Sequence, residues 1–226
     1  MQEILLITKK DLAVEFRSRE SLILIFVLSL VLTFSFRAIF SEELDIGKEN
    51  EYYLSGMLWL TLLFTSLFFS SRSFLKEKEN DCISALLLYP VEGGMIYLGK
   101  MLSTFFLVCL TLFSTFLWFL IFFEPDVHYL LTSLPLFILG SFSFAVLATF
   151  ISALSAQSGS REIIFIILMV PFILYTVVVP SVRATSKIFQ GSNLDSVLSE
   201  LLIVLGSGIA FFFLSYLLFD LAVRNG

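Results

Sequence analysis

Six long apolar runs, parted by short polar stretches, leave this chain very few ways to fold. They cover residues 21–40, 52–71, 101–123, 129–155, 163–180 and 201–219. A bilayer core takes ~20 consecutive apolar residues per helix, so each run is close to membrane length. The runs are continuously apolar and do not alternate, which excludes a transmembrane β-barrel. Composition agrees: 58% of the 226 residues are hydrophobic, 27 are Phe, and the 15% that carry charge gather between the runs. The expected fold is therefore an all-α integral membrane protein, one transmembrane domain with six spans. No cleavable signal peptide is expected, because the first apolar run follows four basic residues and is long enough to stay in the membrane.

Basic residues set the orientation. With the N-terminus in the cytoplasm, Lys9, Lys10, Arg17, Arg19, Arg72, Lys76, Lys78, Lys100, Arg161 and Arg224 all lie inside, and only Arg37, Lys48, Arg183 and Lys187 lie outside. Both termini are thus placed in the cytoplasm, as in a multi-pass protein of the cytoplasmic (inner) membrane. The segment Met1 to Arg19 reads as a helix with two narrow apolar stripes, Leu5, Leu12 and Phe16 against Ile7 and Val14. That pattern suits an interfacial helix touching lipid on one side and protein on the other, or a basic tail that only fixes topology. Arg37, near the outer end of the first span, is expected to snorkel to the interface.

The polar interval 72–100 is the one stretch rich in base between two spans, and it is expected to face the cytoplasm. Its sequence is RSFLKEKENDCISALLLYPVEGGMIYLGK. Asn80 or Asp81 can cap a short helix, Ile83, Leu86 and Leu87 form an i, i+3, i+4 apolar patch, and Pro90 forbids continuation. An apolar patch on a cytoplasmic helix calls for a partner, or for the membrane surface as the plainer reading. Gly93-Gly94 is no phosphate loop, since no Lys-Ser/Thr follows it and no strand precedes it.

Elsewhere the polar residues read as structural. Thr61, Thr65, Ser66, Ser70 and Ser71 in the second span are small hydroxyl residues that allow close helix packing, and Gly206 and Gly208 mark a close contact of the sixth. Pro171 is expected to bend the fifth span, Pro180 to close it, and the polar outer segment 181–199 to hold a short helix from about Asn193. Glu124-Pro125-Asp126 makes a tight outer turn, followed by the sole histidine, His128. His128 is read as an interfacial residue beside Trp118 and Tyr129, with axial ligation of haem as the second reading. Only Trp59 and Trp118 are tryptophan, so there is no Trp-rich haem loop. Cys82 and Cys109 make no disulfide framework. No HExxH, no GxSxG, no Cys/His cluster and no pair of carboxylates within a span is present, so no catalytic or metal-ligating residue is assigned. The spans are nearly free of ionisable groups, which disfavours a proton-coupled carrier and makes an outside energy source attractive.

At this point the residues resemble a family. Phe74, Glu77, the Leu-rich helix with Ile83, Leu86, Leu87 and Leu88, then Pro90 and Lys100, together with Ala153-Leu154, Arg161 and Pro171, are similar to the CcmB proteins, the permease subunit of the cytochrome c maturation haem exporter. Asp81-Cys82 stands where Gly-Ser is usual, and Tyr175 where a second Pro is expected. The resemblance implies an ABC-2-like permease whose loop, through Phe74, Glu77, Ile83, Leu86, Leu87, Pro90 and Lys100, docks a separate CcmA-like ATPase. It further implies a permease homodimer, haem-handling membrane proteins and a haem chaperone as companions, haem as the transported substrate and ATP bound by the partner, with no cofactor resident in this chain and no nucleic acid. Two other readings stand beside it: an ABC-2-type permease for a lipid, drug or polysaccharide, and a non-transport scaffold that drives release of a haem-loaded chaperone.

Overall fold

The computed structural model describes residues 2–40, 50–79, 93–155 and 173–224, with the single positions 167 and 171. Among the described residues every regular element is helical. In chain order they are α1 (Gln2–Ser18), α2 (Glu20–Phe40), α3 (Asn50–Glu79), α4 (Gly93–Phe123), α5 (Val127–Thr132), α6 (Leu134–Ser155), α7 (Val179–Phe189) and α8 (Leu198–Arg224). A π-helical turn, Leu174–Val178, runs into α7, and a 3₁₀ turn, Leu194–Val197, leads into α8. Glu20–Phe40, Gly93–Phe123 and Asp195–Leu217 are each long and apolar enough to cross a bilayer, and Leu134–Phe150 is a shorter apolar helix.

Two loops are shorter than the sequence suggests. The polar interval expected over 72–100 is helical at both ends, because α3 continues to Glu79 and α4 already starts at Gly93. Lys76, Glu77, Lys78 and Glu79 are good helix formers, so nothing local stops α3 where the apolar run ends. Nor does Pro180 end its helix, which continues to Phe189. Proline lacks an N–H and crowds the carbonyl four residues back. The π-turn just before it, with Val179 N–H donating to the Leu174 carbonyl, widens the helix there, and Ser207 Oγ of α8 donates to the Thr176 carbonyl at 3.3 Å. The missing donor is thus replaced from a neighbouring helix, as membrane helices require.

The fourth apolar run, in contrast, is two helices. Pro135 has no N–H for the preceding turn, and the chain breaks at Ser133, whose backbone N–H closes on Tyr129 and whose Oγ donates to Leu130, 2.8 Å. Asp126 caps the short α5 by accepting from His128 N–H at 2.9 Å. The short helix expected from about Asn193 is the 3₁₀ turn that feeds α8.

The core is aromatic. Trp59 of α3 stacks on Phe137 of α6 with ring centroids 4.7 Å apart, and Phe116 meets the same ring edge-on at 4.7 Å. The Trp59 indole N–H donates to Thr185 Oγ1 of α7 at 2.9 Å, so the one polar atom of that side chain is satisfied. Gly140 lets α6 approach: a Cβ there would lie 2.5 Å from the Trp59 ring. Buried hydroxyls tie the other seams, Ser29 to Ser114 at 2.7 Å between α2 and α4, and Ser66 to Thr111 at 3.0 Å between α3 and α4. Of the two glycines expected at a helix contact, Gly208 meets Ser143 of α6, whereas Gly206 is exposed with nothing within 4 Å.

Candidate functional site

The expected docking segment lies between α3 and α4. Ile83, Leu86, Leu87 and Pro90 fall outside the described residues. Phe74 and Glu77 belong to the final turns of α3. Lys100 is different from the expectation. It lies inside α4, 5% exposed, with its ammonium 3.9 Å from Asp11 of α1. Its long stem packs against the chain and its charge is directed inward, so Lys100 joins two helices of the same protein.

Helix α1 is held on the first turns of α4 by several contacts of this kind. Thr8 Oγ1 donates to the Gly99 carbonyl at 3.0 Å, and Ile7 fills the space that a side chain at Gly99 would need. Glu15 is buried and accepts a hydrogen bond from Ser21 Oγ across the break between α1 and α2. The break is made by Arg19, in the left-handed region at φ 51°. Ile7, Thr8, Asp11 and Glu15 therefore form the inward face. Leu5, Leu6, Val14 and Phe16 point away from it, each about half exposed or more. Leu12 packs on Ile25 and Leu107. The stripes read from the sequence are split: Leu12 leaves Leu5 and Phe16, and Ile7 leaves Val14. A wheel sorted by hydropathy misses an inward face made of Thr, Asp and Glu, since those residues look like surface until their partners are known. The alternation of exposed apolar side chains with Lys9, Lys10 and Arg17 on the rest of α1 fits the membrane surface.

At the opposite end of the bundle His128 lines a polar pocket of about 320 Å³ with Tyr129, Thr132, Ser192, Asn193 and Asp195. Gly191, at φ 81°, makes the turn that closes this pocket and lies against the Tyr129 hydroxyl. His128 tilts on Tyr129 with centroids 5.7 Å apart, while Trp118 donates its indole N–H to the Phe26 carbonyl of α2, away from His128. Ser192, Asn193 and Asp195 carry no signal beyond turn composition in the sequence; only the packing of the 191–197 turn against α5 places them beside His128. Next to the pocket, Lys187 pairs with Glu200 at 2.6 Å and thereby clamps α7 to α8. Arg37, exposed, lies over the Phe123 ring at 5.8 Å, a cation–π contact at the helix end, where snorkelling was expected. Among the described residues no group of three or more His, Cys, Asp or Glu is placed to hold a metal ion.

These features define a helical membrane protein in which several internal polar groups tie one helix to another. The chain belongs to the CcmB protein family, which it matches over residues 2–225. That membership makes it a membrane component of the haem export machinery of cytochrome c maturation, working with partner proteins. No curated protein matches the chain in sequence.

Proposed function

We propose that the protein is the permease subunit of an ABC-type complex, with two copies served by two copies of a separate CcmA-like ATPase. Six spans in the cytoplasmic membrane follow the apolar runs, and the placing of both termini in the cytoplasm follows the distribution of basic residues. The segment between α3 and α4 would seat its apolar patch, Ile83, Leu86 and Leu87, in a cleft of the ATPase, and Phe74, Glu77 and Pro90 would shape its approach. ATP hydrolysis belongs to that partner. Haem is delivered to the far side for c-type cytochromes, in company with a haem-handling membrane protein and a haem chaperone.

The observation that carries this reading is the match to the CcmB family along essentially the whole chain. The packing supports it. Both helices that flank the docking segment run without interruption into the aromatic core, and α1 grips the start of α4. A push on that segment is therefore passed on as a rigid-body movement of α3 and α4. The bundle interior is filled by Trp59, Leu62, Phe119 and Phe137, each under 3% exposed. A filled interior favours haem moving along a surface shared by two permeases, or ATP-driven release of a haem-loaded chaperone, over passage through one chain. The pocket around His128 is lined by polar residues, with polar surface exceeding apolar, so haem ligation there has the weaker support.

Affinity capture from mild detergent tests the docking. The wild-type chain should retain an ATPase, and Ile83→Asp or Leu86→Asp should lose it while still inserting into the membrane. Normal co-purification of the ATPase with both variants would overturn the assignment.

A further inference from the structure

The polar pocket at the His128 end does not depend on that reading, and its chemistry is specific. We propose that it seats the headgroup of an ethanolamine phospholipid. A phosphoethanolamine headgroup carries a primary ammonium beside a phosphodiester. The pocket offers one carboxylate, Asp195, for the ammonium. The side chains of His128, Tyr129, Ser192 and Asn193 can donate to phosphate oxygens. The pocket lining holds the Asp195 carboxylate and no Lys or Arg, and Lys187 of α7 is engaged with Glu200, so the local balance favours a ligand that brings its own positive charge. At about 320 Å³ the pocket is of small-ligand size.

The surroundings supply the place for acyl chains. Asp195 is followed at intervals of three and four by Leu198 and Leu202, which are 51% and 64% exposed. One turn further along the same stripe stands Gly206, exposed and with open space where a side chain would be. The stripe from Leu198 to Gly206 runs roughly 12 Å down the helix from the pocket, at 1.5 Å per residue. Leu131, three residues after His128 on α5, is likewise exposed and apolar at 57%. A polar seat continued by an apolar slot into the membrane has the outline of a single phospholipid, head at the interface and tail along α8.

The test is native mass spectrometry of the full-length chain released from nanodiscs containing equal amounts of phosphatidylethanolamine, phosphatidylcholine and phosphatidylglycerol with identical acyl chains. Retention of the ethanolamine lipid should exceed that of the choline lipid by about tenfold, because only a primary ammonium can donate a charge-assisted hydrogen bond to Asp195. Asp195→Asn should abolish that preference, and Asn193→Ala should weaken retention of both lipids. Gly206→Leu should fill the slot and lower retention of all three lipids without changing their order. Equal retention of the three lipids, a preference for the glycerol headgroup, or an unchanged preference in Asp195→Asn would overturn the proposal. Displacement of bound lipid by soluble glycerophosphoethanolamine would overturn the membrane origin of the ligand, since the headgroup would then bind without its tails.

Discussion

The two ends of the bundle hold together by different means. At the far end, where α3, α4, α6 and α7 meet, the buried contacts are rings and small hydroxyls: Trp59 on Phe137, Phe116 against the same ring, and Thr185 on the indole N–H, with the Lys187–Glu200 pair, its lysine half-exposed, outside them. At the near end, where α1 crosses the start of α4, a smaller apolar cluster of Ile7, Ile96, Tyr97 and Met101 is joined by charged or strongly polar contacts: Lys100 on Asp11, Glu15 on Ser21, Thr8 on the Gly99 carbonyl. Dispersion and shape are additive and tolerate little change in volume. Buried charges are held by orientation, and each member is costly once its partner is gone. The far end is therefore suited to stay rigid. The near end, beside the proposed docking segment, is tied by contacts that can be exchanged.

The largest expected effect separates the two regimes. Trp59→Ala removes the biggest buried side chain and should cost about 3–5 kcal/mol, read as the loss of unfolding free energy in mixed micelles, with ATPase capture reduced only in proportion to the folded fraction. A cost under about 1 kcal/mol would show that the aromatic stack is not what holds this end. Next comes Gly140→Ala, which drives a methyl group into the Trp59 ring and should cost about 1–3 kcal/mol in the same measurement.

At the near end the expected loss is smaller for a chemical reason. Lys100→Met leaves Asp11 with Lys10, 3.5 Å away, so the cost should be about 1–2 kcal/mol, and a Lys100→Met, Asp11→Leu double variant should recover part of it. Additive losses in that pair would mean that the two side chains do not act on each other. The smallest effect is the control. Gly206→Ala meets nothing within 4 Å and should change stability by less than about 1 kcal/mol, in the favourable direction expected of Ala in a helix. A loss like that of Gly140→Ala would show that Gly206 packs on something after all.

Much of this arrangement can be read from the letters, and the misses have common causes. The apolar runs name the helices because a bilayer leaves the backbone no other way to satisfy itself. Three of them reappear as helices long enough to span, Glu20–Phe40, Gly93–Phe123 and Asp195–Leu217. Their ends are less legible. Charge marks where a run leaves the lipid but not where its helix stops, so α3 outruns its apolar part as far as Glu79. Proline marks a missing donor but not how a neighbour makes it good. Pro135 splits a run at Ser133, while Pro180 is absorbed by a π-turn and by Ser207. Lys100 shows the same limit at the end of the interval where docking was expected. A lysine beside a polar loop reads as exposed, and only its distance to Asp11, nearly ninety residues earlier, turns it inward.

By itself the sequence determined the class: the apolar runs give an all-helical membrane protein, basic residues set an expected direction, and the loop pattern points to the family. Tertiary structure alone decided which polar groups are internal ties and which line a pocket. Whether Lys100 meets Asp11, or Asp195 meets His128, depends on helices distant in the chain arriving side by side. Hydropathy is a property of each residue alone, whereas a hydrogen bond or an ion pair belongs to two.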